Sequence, residues 1–167
     1  MAAHPTRRVV LAAAVALPLA AVSGCGGADV LAALPHAAPD VALLRSAIAA
    51  EELMIARYGA VLDGAGAAVA SALEPLLAEH RAHLAQLRSR LVVPAGSPTP
   101  SQRAAVPAGV PSAQGAALAY LRDAERTAAA ALLARLGHAP ASLAQLFASI
   151  SASEATHVPV LDQAAAR

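Results

Sequence analysis

The sequence predicts an all-α domain: a four-helix bundle with one long crossover between its second and third helices. Three observations predict it. The 167 residues include 50 Ala, 23 Leu and 12 Arg, all strong helix formers, and no Lys, Asn or Trp. Aromatic residues make up only 2%, too few to build a sandwich or barrel alongside so few β-branched residues. Apolar residues recur at helical spacing in four segments, joined by a short, a long and a short connection. The single Cys excludes a disulfide scaffold. A hydrophobic content of 57% excludes a disordered chain.

The N-terminal segment reads as an address. Arg7 and Arg8 precede an uncharged, mostly apolar run from Val9 to Val22. That run is shorter than the roughly 20 residues a bilayer span needs and fits the apolar region of a secretory signal. The paired arginines resemble a twin-arginine signal, and an ordinary secretory signal remains the alternative. Val22-Ser23-Gly24-Cys25 resembles a bacterial lipobox, in which the Cys is lipidated through its sulfur and becomes the first residue. Residues 1–25 are therefore expected to be a lipoprotein signal ending at the lipidated Cys25, residues 26–39 a tether, and residues 40–166 the bundle. Diacyl attachment would hold the chain stably on the outer face of the cell membrane. The formal net charge is +1 and includes Arg7 and Arg8, so no basic surface remains to argue for nucleic acid. No protein partner is indicated, and self-association into a homo-oligomer is left open.

The first helix follows Asp40, a suitable N-cap, and carries Val41, Leu44, Ile48, Ile55, Tyr58 and Leu62 on one stripe. Asp63-Gly64-Ala65-Gly66 ends it. The second helix has a capping-box match at Ser71–Glu74, with Pro75 in its first turn, or a kink at Pro75 if it begins nearer Ala67. Its stripe is Leu73, Leu76, Leu77, Leu84, Leu87 and Leu91. Val93 to Ser112 carries five Pro and reads as the crossover. The third helix runs from near Ser112 to Gly137, a good residue to follow a helix end, with Leu118, Leu121, Ala128, Leu132 and Leu136 on its stripe. The fourth starts near Ser142, where Ser142–Gln145 again matches a capping box, and carries Leu143, Leu146, Phe147, Ile150, Val160 and Leu161. Pro159 is expected to kink or end it.

Each stripe is interrupted by polar residues on core-facing positions: Glu51 in the first helix, His80 and His83 in the second, Glu125 in the third, Glu154 and His157 in the fourth. An ionised carboxylate in a Leu and Ala core is costly unless paired, protonated or metal-bound. Three Glu and three His from four facing helices have the composition of a carboxylate-rich metal site, with anionic oxygens for charge and imidazoles for geometry. Glu154 and His157, at i and i+3, leave one face together. A shift of 74 residues superposes Glu51 on Glu125, His80 on Glu154 and His83 on His157, as two equivalent helical hairpins would. Tyr58, one heptad after Glu51, and Glu79, on the flank of the stripe, are candidates for supporting hydrogen bonds.

Ala50-Glu51-Glu52 with Tyr58-Gly59, followed by Glu79-His80-Arg81, resembles the ferritin-like domain of actinobacterial lipoproteins, a domain of unknown function. The resemblance spans Asp40 to Ala166. It implies a ferritin-like bundle binding one or two transition-metal ions, iron or manganese, in storage or redox chemistry. The superfamily pattern of a Glu from helices 1 and 3 and Glu-x-x-His from helices 2 and 4 falls on Glu51, His83, Glu125, Glu154 and His157. Position 80 departs from it, being His where the pattern has Glu. The resemblance implies no substrate and no catalytic residue.

An alternative reading pairs Glu51 and Glu125 with Arg57, Arg122 or Arg126, and makes His80 and His83 core or interface histidines hydrogen-bonded to backbone or to Glu. It leaves a metal-free bundle serving as an envelope scaffold or interaction module. Nucleophile-elbow, Walker and dinucleotide-binding motifs are absent from the sequence.

Overall fold

A computed structural model describes residues 39–93 and 107–167. The expected leader with Cys25, the expected tether up to residue 38 and residues 94–106 between the second and third helices lie outside these residues, as does His36, while Pro39, expected to end the tether, opens α1. The described residues form four α-helices and contain no strand: α1 Pro39–Leu62, α2 Ala67–Arg90, α3 Gln114–Arg135 and α4 Ala141–Ala165. Among them no helix is long and apolar enough to cross a membrane. Helices of 22 to 25 residues are about 33–38 Å long at 1.5 Å per residue. α1 packs chiefly on α2 and α3 chiefly on α4, with further contacts between α1 and α3 and between α2 and α4.

Neither capping box starts its helix: α2 takes the earlier of the two starts the sequence left open, and α4 begins one residue before its box. α2 begins four residues before Ser71, with Gly66 preceding it, and Ser71 Oγ hydrogen-bonds the Ala68 carbonyl inside the helix. α4 begins at Ala141, preceded by Pro140 rather than capped by Ser142. Ala is the best helix former, so Ala67, Ala68 and Ala141 extend the helices beyond the residues that would otherwise start them. Asp40 lies in the first turn of α1, where its carboxylate accepts the Val41 N–H at 2.9 Å.

Pro75 and Pro159 both lie inside their helices, and α4 continues past Pro159 to Ala165. Each proline deprives the carbonyl four residues back of its donor. Pro75 with Ser71, and Pro159 with Ala155, are all exposed, so water can serve the freed carbonyls. Gly137 lies in a 3-10 turn, Leu136–His138, that extends α3. Gly109 is the only described glycine with positive φ, so Gly137 does not form the left-handed terminus expected of it.

The core is divided in two along the bundle. One apolar cluster holds Leu44, Ala47 and Ile48 of α1 with Leu87, Leu132, Leu143, Phe147 and Ile150. The other holds Met54, Tyr58 and Val61 of α1 with Leu73, Leu76, Leu77, Leu118, Leu121 and Leu161. The start of α1 and of α4 therefore share a cluster with the ends of α2 and α3. α1 runs antiparallel to α2 and α3 and parallel to α4. The interrupting polar residues fall between the two clusters on every helix.

Candidate metal centre

All six polar stripe residues are buried: Glu51 at 3% exposure, His80 at 0%, His83 at 9%, Glu125 at 0%, Glu154 at 2% and His157 at 1%. They meet in one layer between the apolar clusters, and His80 is its hub. The His80 Nδ1 is 2.8 Å from Glu51 Oε2, and its Nε2 is 2.9 Å from Glu125 Oε1. Two ionised carboxylates can be served by one ring only if both ring nitrogens donate, so His80 is an imidazolium in this arrangement. Burial alone would lower its pKa, but the hydrogen bonds to Glu125 and Glu51 and their charges raise it to about 10.

Glu125 Oε1 also accepts the Tyr58 hydroxyl and lies 3.1 Å from His157 Nδ1. Burial would raise the Glu125 carboxyl, yet donation from His157, His80 and Tyr58 holds it down at about 2. Glu51 is likewise below the ordinary range, since the His80 and His83 partners overcome its burial. Burial and the nearby Glu125 charge push the Tyr58 phenol up, so it stays a hydrogen-bond donor. Beyond His157 the chain of contacts reaches the surface. Its Nε2 lies 3.0 Å from Glu79 Oε2, which also accepts the Ser153 hydroxyl at 2.8 Å. Burial works against a charged His157 ring, and hydrogen bonds to Glu125 and Glu79 outweigh it and raise its pKa. Tyr58 and Glu79 thus both support the buried groups, one from the core and one from the half-exposed rim.

Glu154 differs from the others. Burial, then the charges of Glu51 and Glu125, push its carboxyl up to about 8. Its Oε2 has no hydrogen-bond partner among the described residues, and the same holds for Glu51 Oε1, Glu125 Oε2 and His83 Nδ1. The last of these is 3.3 Å from Glu51 Oε1 without hydrogen-bond alignment. A crevice of about 20 Å³ between α1 and α3, bordered by Ala47, Ala50, Ala128, Ala131 and Arg135, reaches Glu51 and Glu154. That is room for about one water.

The arginines are engaged elsewhere. Arg57 donates to Tyr120 Oη at 3.0 Å, Arg122 to Asp123 and Asp162, and Arg126 to Asp123. The counter-ions of the buried carboxylates are histidines, contrary to the arginine pairing the sequence left open. His138, in the 3-10 turn, is exposed, as expected of a solvated turn residue. Two features escaped sequence reading. Buried Ser151 donates to the Ala129 carbonyl at 2.9 Å and ties α4 to α3. Arg135 donates to Ser46 Oγ at 3.0 Å beside the crevice. Ser151 is adjacent to Ile150 on the stripe, the only signal it gave, and the Arg135–Ser46 pair gave none.

Two groups of three residues can hold a metal ion. Glu51, His80 and His83 form one; His80, Glu125 and His157 form the other, and in each the ligand atoms lie within 4.8 Å of one another. Glu154 is buried beside them but belongs to neither group. The donors fit such an ion: carboxylate oxygens with imidazole nitrogens, in a buried layer where four polar atoms lack a hydrogen-bond partner among the described residues. No family model matches this chain, and neither a curated protein nor a solved structure matches it.

The hydroxyl of Tyr58 bonds a buried, charged acceptor. Tyr58→Phe is expected to cost about 1.5–3 kcal/mol of stability, the usual worth of a hydrogen bond to a charged group. Urea unfolding of the two proteins checks this, and equal midpoints would mean the Glu125 carboxylate does not depend on that hydroxyl.

Proposed function

We propose that this chain is a membrane-anchored, ferritin-like metal-binding protein. Its bundle centre binds one or two first-row transition-metal ions, iron or manganese, in a storage or redox role outside the cytoplasmic membrane. The observation that carries this reading is the set of unpartnered buried atoms, Glu51 Oε1, His83 Nδ1, Glu125 Oε2 and Glu154 Oε2, gathered between two apolar clusters. Buried polar atoms rarely go unsatisfied, and a cation would satisfy several together. Glu51 and His83 would hold an ion together with His80, and Glu125 and His157 would do so on the other side of that ring. Tyr58 and Glu79 would orient Glu125 and His157, as partners behind metal ligands commonly do. The bound ion would supply Lewis acidity or a one-electron couple.

The ferritin-like part of the reading draws on topology. α2 ends beside the cluster of Leu87, and α3 begins beside that of Ala117 and Leu118. The connection between them starts at one end of the bundle and finishes at the other, as a crossover does. The lipid anchor rests on the lipobox resemblance at Cys25.

One observation favours a second reading. His80, as an imidazolium between Glu51 and Glu125, already neutralises buried charge without a metal. In that reading the bundle is a metal-free envelope module. Metal analysis separates the two. After dialysis against iron(II) or manganese(II), the protein is expected to retain stoichiometric metal. Free metal at a hundredfold excess over Kd should add about 2.7 kcal/mol of stability. Because ligands must shed protons to bind, affinity should climb from pH 5 to pH 8. Sub-stoichiometric metal with an unmoved Tm would remove the first reading.

A further inference from the structure

We infer that His80 divides the centre into two metal positions joined by its own ring, rather than one carboxylate-bridged pair. This rests on the metal-binding reading above. The ring's two nitrogens face different ligand groups. Nδ1 faces Glu51, which shares a group with His83, and Nε2 faces Glu125, which shares a group with His157. Both edges of the ring are committed: Nδ1 is 2.8 Å from Glu51 and Nε2 is 2.9 Å from Glu125. The neighbouring imidazoles fall in different groups as well, His83 with Glu51 and His157 with Glu125. The His83 and His157 ring centroids lie 5.8 and 5.1 Å from that of His80. Glu51 has its contacts to His80 and His83, and Glu125 its contacts to His80, His157 and Tyr58. Neither Glu51 nor Glu125 has a contact in the other group, Glu154 belongs to neither group, and only His80 belongs to both.

The two positions are unequal in origin. The Glu51–His80–His83 group comes from α1 and α2, one hairpin. The His80–Glu125–His157 group draws on α2, α3 and α4, and so ties the two hairpins together. Filling both positions forms one metal bond at each ring nitrogen and releases both ring protons to solvent. No oxidant or reductant is consumed. Imidazole nitrogen suits copper, zinc, nickel and iron, so copper(II) serves as a spectroscopic probe of the geometry.

The test is a copper(II) titration of the full chain carrying Cys25→Ser, followed by elemental analysis and electron paramagnetic resonance. A bridging imidazolate transmits spin exchange between two copper(II) ions. Wild-type protein should therefore bind two ions in the bundle and show a signal that integrates to a small fraction of the bound copper. With one position filled by zinc(II), the copper signal should return in full. His157→Gln and His83→Gln should each hold one ion with an unquenched signal. His80→Ala should lose the coupled pair. A coupled pair that survives His80→Ala, or two bound ions that never couple in the wild type, would overturn the shared ring. One ion per bundle in the wild type would also overturn it while leaving the metal-binding reading standing. Absence of bound copper, iron and manganese alike would remove both.

Discussion

His80→Ala, in the metal-free protein at pH 7, is expected to lower unfolding free energy by about 3–5 kcal/mol, the usual cost of removing one partner from a buried ion pair. The ring is fully buried and is the direct partner of both Glu51 and Glu125. Its loss takes the shared cation from both carboxylates and leaves Glu51 with His83 alone and Glu125 with His157 and Tyr58, at a site closed to bulk water. Globular domains are stable by about 5–15 kcal/mol in total, so this substitution removes a large share. Pairing it with Glu125→Gln should recover part of the loss, because the neutral amide no longer needs a cation, and residues in one network do not contribute additively. Urea unfolding of wild type, both single variants and the double variant measures this. A single-variant cost below about 1 kcal/mol, typical of surface ion pairs, would show that His80 is not the hub.

The metal-free protein should be most stable near pH 5 and weaken steadily on going up to pH 10. Five groups set this shape through the difference in bound protons between folded and unfolded chains. Glu125 is held at about 2 against an ordinary 4.5, so its contribution is present above pH 4.5 and lost as pH falls toward 2. Glu51, also lowered, acts the same way. Glu154 is raised to about 8, so the folded chain keeps a proton that the unfolded chain has lost. Its contribution is present below 4.5 and is lost as pH rises to 8. His80, raised to about 10 from 6.5, contributes fully below 6.5 and loses that contribution as pH rises through 10. His157 follows the same direction. Urea midpoints measured in the presence of a chelator should rise from pH 3 to about 5 and then fall. Glu154→Gln should flatten the descent between about pH 5 and 6.5 and make it shallower up to pH 8, while leaving the fall that His80 sets from 6.5 toward pH 10. A level profile from pH 5 to 9 would contradict the assigned charge states.

Much of the bundle was legible because helical periodicity and apolar stripes report burial directly. Glu51, His80, His83, Glu125, Glu154 and His157 stood out as polar residues on stripes otherwise made of Leu, Ile and Val, and all six are buried. Their layer between two apolar clusters follows from the same registers. Pairing was not legible. Spacing places side chains on a face, but tertiary packing decides whether a carboxylate meets His80 or Arg57. The start of α2 stayed open between Ala67 and Ser71, and that of α4 was misplaced, because a capping signal competes with Ala propensity, and at Ala67 and Ala141 the propensity extends the helix. Pro159 read as a kink or an end of α4 because sequence alone does not show that it and Ala155, whose carbonyl it orphans, are exposed. Glu79 looked like a flank residue, and it is one, but the i+4 neighbourhood along α4 gave no hint that it would receive His157.

The central claim is that metal occupies the layer around His80. It is tested most directly by anomalous diffraction from crystals grown with manganese(II) or cobalt(II), collected on either side of the metal's absorption edge. The expected result is anomalous density inside the bundle, between the apolar clusters, with its nearest protein atoms drawn from Glu51, His80, His83, Glu125 and His157. Density confined to surface carboxylates such as Asp123 and Asp162, with the His80 ring still bonded to both Glu51 and Glu125, would contradict it.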